Sequence, residues 1–347
     1  MPLTIVHSIH YTMYCILLNI DMASNREKIL GYIREKGQAS VVDLLVAADI
    51  GRAMIHRHLK SLVDEGLIRK VGSSPKVLYV PIEKTADRVS ESKSFFVPSN
   101  TVIDEHFLLI TPQGERIEGS SGFAKWCADR QYDLDKKTTE YVTLSERYTA
   151  LKKDGLLDGT EKLKGTFGDD TAIDRVYYID FYAWEIFGKT KLGQLLLYAK
   201  QSQDRKMIRE ISEVVRPHLD RLIGKYGIDA IGYIPPTVRR SVQLMDMLKK
   251  NIHATIPELA IEKMVGEVRV PQKTLSKLSD RIANACGTMF VTDKRAFGTV
   301  LLIDDAVGSG ATLNEVAKKI KAQGVAKKVI CLAITGSLKG FDVISEV

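Results

Sequence analysis

The sequence predicts an α/β fold with a mostly parallel sheet and helices on both of its faces, preceded by a small α+β domain. Three observations carry this prediction. Apolar strands alternate with helical stretches from residue 175 onward, which is typical of a parallel sheet. The apolar strand Val300–Ile303 runs into two acidic residues and a small-residue loop. Residues 24–83 carry the signals of three helices and a hairpin.

The composition is that of a globular, moderately basic protein. The chain has 347 residues, which is long for one compact domain, and its net charge is +7. A basic chain favours polyanionic partners such as nucleic acid or phosphorylated metabolites. The cysteines are far apart, which argues against a zinc site or a disulfide framework and makes a reducing cytoplasm the expected compartment. They are Cys15, Cys127, Cys286 and Cys331.

Residues 1–23 are predicted to be an N-terminal extension, to which we assign no function. The stretch from Ile9 to Ile20 is fairly apolar, but polar side chains interrupt it and it is shorter than the roughly 20 residues of a membrane span. We therefore expect no membrane segment. No basic start or small-residue cleavage site marks a secretory signal, and one interpretation is that translation begins at Met22.

The first domain is predicted over residues 24–83. Apolar residues recur at helical spacing from Ile29, and Ser40 is the expected N-cap of a second helix. A third helix is predicted from Arg52 to about Glu65, closed by a glycine. Two short strands around a small-residue turn then form a hairpin.

Three helices and a basic hairpin in this order resemble the winged helix-turn-helix domain of bacterial regulators. On the third helix, basic side chains lie opposite the apolar stripe, where they can reach a major groove, and the hairpin adds further basic groups. The resemblance implies that DNA is contacted by Arg52, His56, Arg57, Lys60, Arg69, Lys70 and Lys76. The alternative is that these are ordinary solvated charges on a winged helix with a structural or protein-binding role.

Residues 84–174 are predicted to form a linker and a mixed insert. The stretch 90–100 is polar, residues 107–110 indicate a strand, and helices are predicted over 123–128 and 138–153. The expected core residues are Trp126, Tyr141, Leu144, Tyr148 and Leu151. Nothing in this region has catalytic spacing, so we interpret it as an interdomain spacer or a partner-binding insert.

The last predicted domain covers residues 175–347. Its predicted strands are Tyr177–Tyr182, Ala230–Ile234, Val300–Ile303 and Val329–Ile334, and its predicted helices are Lys206–Leu222, Val238–Lys250 and Leu313–Gln323. In sheets of this type ligands bind at the carboxyl ends of the strands. We therefore expect ligand-binding residues after the predicted strands.

The sharpest motif follows the strand Val300–Ile303. Asp304 and Asp305 stand where carboxylates can accept hydrogen bonds from the hydroxyls of a ribose. In the loop that follows, Gly308 and Gly310 permit positive φ and close approach, so backbone N–H groups and the N-terminus of the next helix can surround a phosphate. The loop consists of Ala306, Val307, Gly308, Ser309, Gly310, Ala311 and Thr312.

An apolar strand, two acidic residues and Ser-Gly-x-Thr form the signature of type I phosphoribosyltransferases. The resemblance extends to the ComF-like family, which the chain follows at Pro271, Gln272, Leu275, Ser276, Arg281, Asn284, Gly287 and Phe290. It implies that Asp304 and Asp305 bind the ribose of phosphoribosyl pyrophosphate, directly or through Mg²⁺, and that the loop binds the 5′-phosphate. It also implies pyrophosphate or hood contacts for Arg239, Arg240, Lys273 and Arg281, and solvent-facing charge is the alternative for the last two.

Two departures from the family bear on function. Gly308 stands where purine-salvage enzymes often carry a proton-transferring Asp, and a winged helix replaces the zinc ribbon of ComF proteins. The domain order resembles that of purine operon repressors, which implies a DNA-binding protein that responds to phosphoribosyl pyrophosphate or a related nucleotide.

Two alternatives to this sensor remain. The chain could be an active phosphoribosyltransferase or nucleotide-processing effector, an architecture that also resembles some retron antiviral effectors. In that case a nitrogen nucleophile would displace Mg²⁺-bound pyrophosphate from C1′ of the ribose. A degenerate scaffold is the other alternative. Both parent families often self-associate, so a homo-oligomer or a protein partner is expected.

Overall fold

The computed structural model describes residues 25–73, 75–82, 99–268 and 270–337, and the chain divides into two compact units, Met1–Phe95 and Phe96–Val347. The predicted N-terminal extension lies outside the described residues, as does residue 24. Most of the polar stretch predicted at 90–100 also lies outside them.

The smaller unit has the predicted three helices and hairpin. They are α1 (residues 25–36), α2 (Val41–Ala48), α3 (Arg52–Asp64), β1 (Ile68–Ser73) and β2 (Lys76–Pro81), with the two strands antiparallel. Ser40 is the N-cap of α2, as predicted, and forms a reciprocal capping box with Asp43. The turn between the strands needs Gly72, because its φ is +85° and a Cβ there would lie 2.4 Å from the Lys76 carbonyl oxygen.

The larger unit begins with a mostly helical stretch and continues into the alternating region. The first part contains α4 (Thr101–His106), β3 (Leu108–Ile110), β4 (Arg116–Glu118), α5 (Gly119–Asp129), α6 (Leu134–Thr149), β5 (Leu157–Asp158) and α7 (Thr160–Phe167). The second contains β6 (Arg175–Phe181), β7 (Ala183–Trp184), β8 (Gly188–Lys189), α8 (Lys191–Gln201), α9 (Arg205–Tyr226), β9 (Ala230–Tyr233) and α10 (Leu244–Ile252). The chain then forms β10 (Ile261–Lys263), α11 (Leu278–Thr288), β11 (Met289–Val291), β12 (Phe297–Val307), α12 (Ala311–Ala322) and β13 (Ala326–Gly336).

The central sheet has five strands in the order β5-β6-β13-β12-β9. β6, β13, β12 and β9 are parallel, and only β5 at the edge is antiparallel to its neighbour. The mostly parallel sheet was predicted. The alternation of side chains along β12 divides the core, because Val300 and Leu302 pack on one face and Leu301 and Ile303 on the other.

Helices cover both faces of this sheet, as predicted. α12 packs on one face through Leu313, Val316 and Ile320. α8, α9 and α10 cover the opposite face. The alternating region thereby buries β12 and β13 from both sides, which explains why both strands are almost continuously apolar.

Residues 99–174 share a core with the sheet. Phe123 and Tyr141 contact Phe187 with ring centroids 6.1 and 5.0 Å apart, and Tyr148 lies 5.2 Å from Phe181 of β6. Arg116 of β4 donates to both carboxylate oxygens of Glu210 in α9, at 2.8 Å each. The described part of the predicted insert therefore belongs to the same compact unit as the sheet.

The structure differs from the local expectations at three places. Residues 238–243 are not helical, because the Gln243 side chain donates to the Val238 carbonyl and Val242 N–H donates to the Gln203 side chain, so side-chain hydrogen bonds replace those of a helix. Leu151 is 52% exposed instead of buried, because α6 ends at Thr149. Gly308 does not have positive φ; Gly310 does, at +75°.

Candidate functional site

A crevice opens at the carboxyl end of the sheet, where two neighbouring strands stop at different heights. β9 pairs with β12 only as far as Tyr233 opposite Ile303, whereas β13 continues to pair with β12 up to Val307. The backbone of Asp304 and Asp305 therefore still belongs to β12, although the strand was predicted to end at Ile303, and it has no strand beside it on the β9 side. Positions of this kind are where open α/β sheets bind ligands.

The crevice is a cavity of about 250 Å³. Its floor is the stretch from residue 304 to 313, so all nine predicted acidic and loop residues line one cavity. One wall comes from α8 and another from the segment after β9, which contains Pro235 and Pro236. Arg281 of α11 closes a further side.

The two aspartates have different surroundings. Asp305 N–H donates to Asp304 Oδ1 at 2.8 Å, and Lys200 Nζ lies 2.6 Å from Asp305 Oδ2. Burial, and then the neighbouring Asp305 charge, raise the pKa of Asp304 well above its ordinary value. Asp305 thus forms an ion pair with a lysine, while Asp304 takes up a proton more readily.

The small-residue loop ends in the N-terminus of α12. Gly310 occupies the N-cap with left-handed backbone geometry, and Ala311 N–H faces Ser309 Oγ at 3.4 Å. The N–H groups of the first helical turn have no acceptors within the helix and carry its partial positive charge. At Gly308 the nearest atom to an added Cβ would be Arg281 Nη1, at 3.9 Å, so this glycine leaves open space beside a guanidinium. This arrangement suits an anion.

Arg281 is the second electrostatic feature of the cavity. Its side chain is only 7% exposed, and its Nε donates to the Leu275 carbonyl at 2.7 Å. Burial lowers its pKa. Among the residues that the structure describes, no carboxylate pairs with this guanidinium. A buried cation without a counter-ion is costly, and an anion in the cavity would supply one.

Arg239 and Arg240, two of the other predicted pyrophosphate or hood residues, do not line the cavity. Both belong to the loop after β9 and line an adjoining groove. Arg240 also lines a second groove, which includes Lys200 and Asp305. The backbone of Lys273 forms a short 3₁₀ turn, Gln272–Thr274, and the prediction for its side chain falls outside what the structure describes. These roles stay predictions.

The predicted Mg²⁺ can be tested against the residues of the cavity. No three His, Cys, Asp or Glu side chains come together as metal ligands anywhere in the described ranges. Asp305, one of the two carboxylates expected near the ion, already has the Lys200 ammonium group at 2.6 Å. The donor set therefore fits a protein-held divalent ion poorly, and Mg²⁺ brought in by a ligand stays a prediction.

Sequence reasoning missed Lys200 and gave Gln272 no role beyond its place in the family pattern. Lys200 lies near the end of a helix more than 100 residues before the acidic pair, where no motif marks it. Gln272 donates from Nε2 to the Arg281 carbonyl and to Asn284 Oδ1, at 3.1 and 3.2 Å, and so supports α11. Only the folding of α8 against the sheet reveals the lysine.

The smaller unit presents a separate basic surface. All seven predicted DNA-contacting side chains are exposed: Arg52, His56, Arg57, Lys60, Arg69, Lys70 and Lys76. On the opposite face of α3, Ile55, Leu59 and Leu62 are buried. The predicted separation of apolar and basic faces is therefore present.

Residues 22–69 match the family described as winged helix-turn-helix DNA-binding. The chain contains a winged helix-turn-helix DNA-binding domain. This domain was predicted from the helix order and the basic hairpin. No curated protein matches the chain. Among the residues described, no helix combines the length and apolarity needed to cross a bilayer.

Two solved structures show weak likeness. A hypoxanthine phosphoribosyltransferase from Staphylococcus aureus has 13% identity and a TM-score of 0.24, and the match covers 39% of this chain and 66% of that one. An adenine phosphoribosyltransferase from Leishmania tarentolae has 12% identity and a TM-score of 0.23, with 44% and 78% covered. Likeness at this level carries no argument about fold or function.

Proposed function

We propose that this winged-helix protein binds phosphoribosyl pyrophosphate or a related nucleotide in its larger unit, and that the ligand changes its affinity for DNA. The observation that supports the ligand is Arg281, a buried guanidinium that has no carboxylate partner among the described residues and that faces Gly308 in the loop before α12. A phosphate held there would be neutralised by the guanidinium and the helix N-terminus together.

The acidic pair supports a sugar beside that phosphate. Asp304 and Asp305 line the same cavity as the loop, directly before it in the chain. Carboxyl groups form hydrogen bonds with hydroxyl groups, whereas a guanidinium and a helix N-terminus favour an anion, so one end of the cavity suits a diol and the other a phosphate. A ribose 5-phosphate unit has both groups. This chemistry points to a phosphoribosyl ligand in preference to inorganic phosphate.

Two features favour a response to the ligand over its chemical conversion. Gly308 provides no acid or base for proton transfer to a leaving or attacking group. On the wall formed by the segment after β9, Pro235 and Pro236 have no N–H to donate to a pyrophosphate leaving group. Ile234 N–H already donates to the Ile303 carbonyl, so Thr237 is the donor that remains on this wall. A site that stabilises a departing pyrophosphate would need donors at its walls.

DNA binding is proposed to use the exposed face of α3 and the hairpin. Arg52, Arg57 and Lys60 would contact the major groove and its phosphates, while Lys70 and Lys76 would hold the backbone from the wing. The match to the winged-helix family supports this assignment.

Calorimetric titration of phosphoribosyl pyrophosphate into the full chain tests the ligand. We expect binding by the wild type and its loss in Asp304→Ala/Asp305→Ala. The matched control is Asp169→Ala/Asp170→Ala, which removes the same charge from an exposed acidic pair outside the cavity and should bind normally. Equal binding by both double variants would contradict the proposed site.

The response is tested with fluorescently labelled duplex DNA of random sequence, titrated with and without the ligand. We expect the ligand to change the DNA affinity of the wild type and not of Asp304→Ala/Asp305→Ala. Pyrophosphate release with a nucleobase, abolished by Asp305→Asn, would instead make the protein a transferase. Ligand binding without any effect on DNA affinity and without turnover would refute the sensor function.

A further inference from the structure

Lys200 is held against the acidic pair by a packed helix. α8 buries Leu192, Leu195 and Leu196 against the sheet, and the adjacent Ala199 is also buried. Lys200 follows directly, with its side chain 27% exposed and its Nζ 2.6 Å from Asp305 Oδ2. Since the helix that carries it is anchored over its whole length, the ammonium group is positioned by the fold.

An ammonium group at this position can provide two of the effects of a metal ion, namely neutralisation of a carboxylate and attraction of ligand oxygens. It neutralises one of two adjacent carboxylates that lie side by side at the end of β12. It has three N–H donors, of which the contact with Asp305 uses one, so two remain for ligand oxygens. A divalent cation entering the same position would meet a fixed positive charge 2.6 Å from the carboxylate that it needs.

We propose that Lys200 replaces the divalent cation at the acidic pair, so that this site binds a phosphorylated ribose without Mg²⁺. The inference rests on the proposed function and specifies its chemistry. Lys200 is a binding residue in this scheme: its ammonium donates to the sugar or to an oxygen at C1 of the ribose, while the phosphate lies between Arg281 and the start of α12. Both ends of the ligand then meet a cation of the protein itself.

The test uses ribose 5-phosphate as the probe, because it lacks the pyrophosphate group that carries its own Mg²⁺. Its binding to the full-length wild type is measured by calorimetry in excess EDTA and in millimolar Mg²⁺. We expect dissociation constants that agree within about twofold, since the cation is part of the chain. A loss of tenfold or more in EDTA would overturn the proposal.

The lysine itself is tested with Lys200→Met, which keeps the aliphatic stem and removes the charge. We expect at least about tenfold weaker binding in EDTA, as for the loss of a charged hydrogen bond, with part of the affinity recovered in Mg²⁺ because the ion can enter the vacated position. Lys200→Arg should retain most of the affinity. The matched control is Lys206→Met, an exposed lysine at the start of α9, which should change nothing.

The outcomes separate this inference from the proposed function. Binding by the wild type only with Mg²⁺, or unchanged binding by Lys200→Met in EDTA, overturns the role of Lys200 and leaves the phosphoribosyl site standing. No binding of ribose 5-phosphate or phosphoribosyl pyrophosphate under either condition overturns both. Thermal unfolding of each variant shows whether it is folded, and the comparison of the wild type in EDTA and Mg²⁺ is decisive without any variant.

Discussion

Replacing Arg281 by methionine should stabilise the larger unit and at the same time weaken ligand binding. The substitution keeps an unbranched side chain in a site that is 7% exposed, and it removes a cation that has no carboxylate partner in the described part of the chain. An unpaired buried ion costs several kcal/mol, while the lost hydrogen bond to the Leu275 carbonyl is worth about 1 kcal/mol. We expect a net gain of about 1–3 kcal/mol.

The two effects of Arg281→Met have opposite signs and separate assays. The melting temperature of the free protein should rise by about 2 °C or more for each kcal/mol gained, measured by calorimetry. The dissociation constant of phosphoribosyl pyrophosphate should rise about 30-fold, which corresponds to about 2 kcal/mol for a charged hydrogen bond to phosphate. This pairing of stability gained with affinity lost is typical of binding sites.

Arg295→Met is the matched control. Arg295 contacts the buried Asp293 carboxylate at 2.6 Å, and this hydrogen bond holds the pKa of Asp293 far below its ordinary value. Removing it leaves a buried carboxylate unpaired, so stability should fall, most clearly at neutral pH where Asp293 is ionised, while ligand binding stays unchanged. The reasoning is refuted if Arg281→Met is destabilised like Arg295→Met and still binds the ligand with wild-type affinity.

Three further predictions concern the loop, the acidic pair and the DNA-binding surface. Gly310→Ala should lose about 1 kcal/mol of folding stability, because the backbone at this position has a φ of +75°. Gly308→Ala should unfold at the same temperature as wild type but bind the ligand more weakly, because the added methyl group occupies the cavity beside Arg281. Asp304→Asn should be more stable than wild type at neutral and alkaline pH, because a raised carboxyl pKa makes folding stability fall as pH rises above 3.8. Arg57→Ala should weaken binding to duplex DNA and reduce the slope of log affinity against log salt by about one, whereas Lys28→Ala on α1 should not.

Each of these three predictions would be contradicted by a specific result. Equal unfolding temperatures for the two glycine variants would refute the strain at the helix start. A parallel pH dependence of unfolding in Asp304→Asn and wild type would refute the raised pKa. An unchanged salt slope in Arg57→Ala would remove this residue from the DNA contact.

Local patterns were enough to predict much of the fold. The Ser40 cap, the apolar stripe of α3 and the strands on either side of α12 follow from spacing and from short-range hydrogen bonding, which act within a few residues. Residues 238–243 were mispredicted because their hydrogen bonds go to side chains, including Gln203 in another part of the chain. The helical spacing of apolar residues cannot reveal a side chain elsewhere in the chain that accepts these backbone hydrogen bonds.

The proposed phosphate loop and its two aspartates could be predicted from consecutive residues because the strand, the loop and the helix start that form them are continuous in the chain. The charged side chains around them lie on other elements. Lys200 lies on α8, and Arg281 lies on α11 and has no carboxylate partner among the described residues. Burial and pairing depend on atoms from separate parts of the chain, which for Lys200 and the aspartates are more than a hundred residues apart. Packing of helices on the sheet therefore decides whether the loop faces a cation, a metal ion or water.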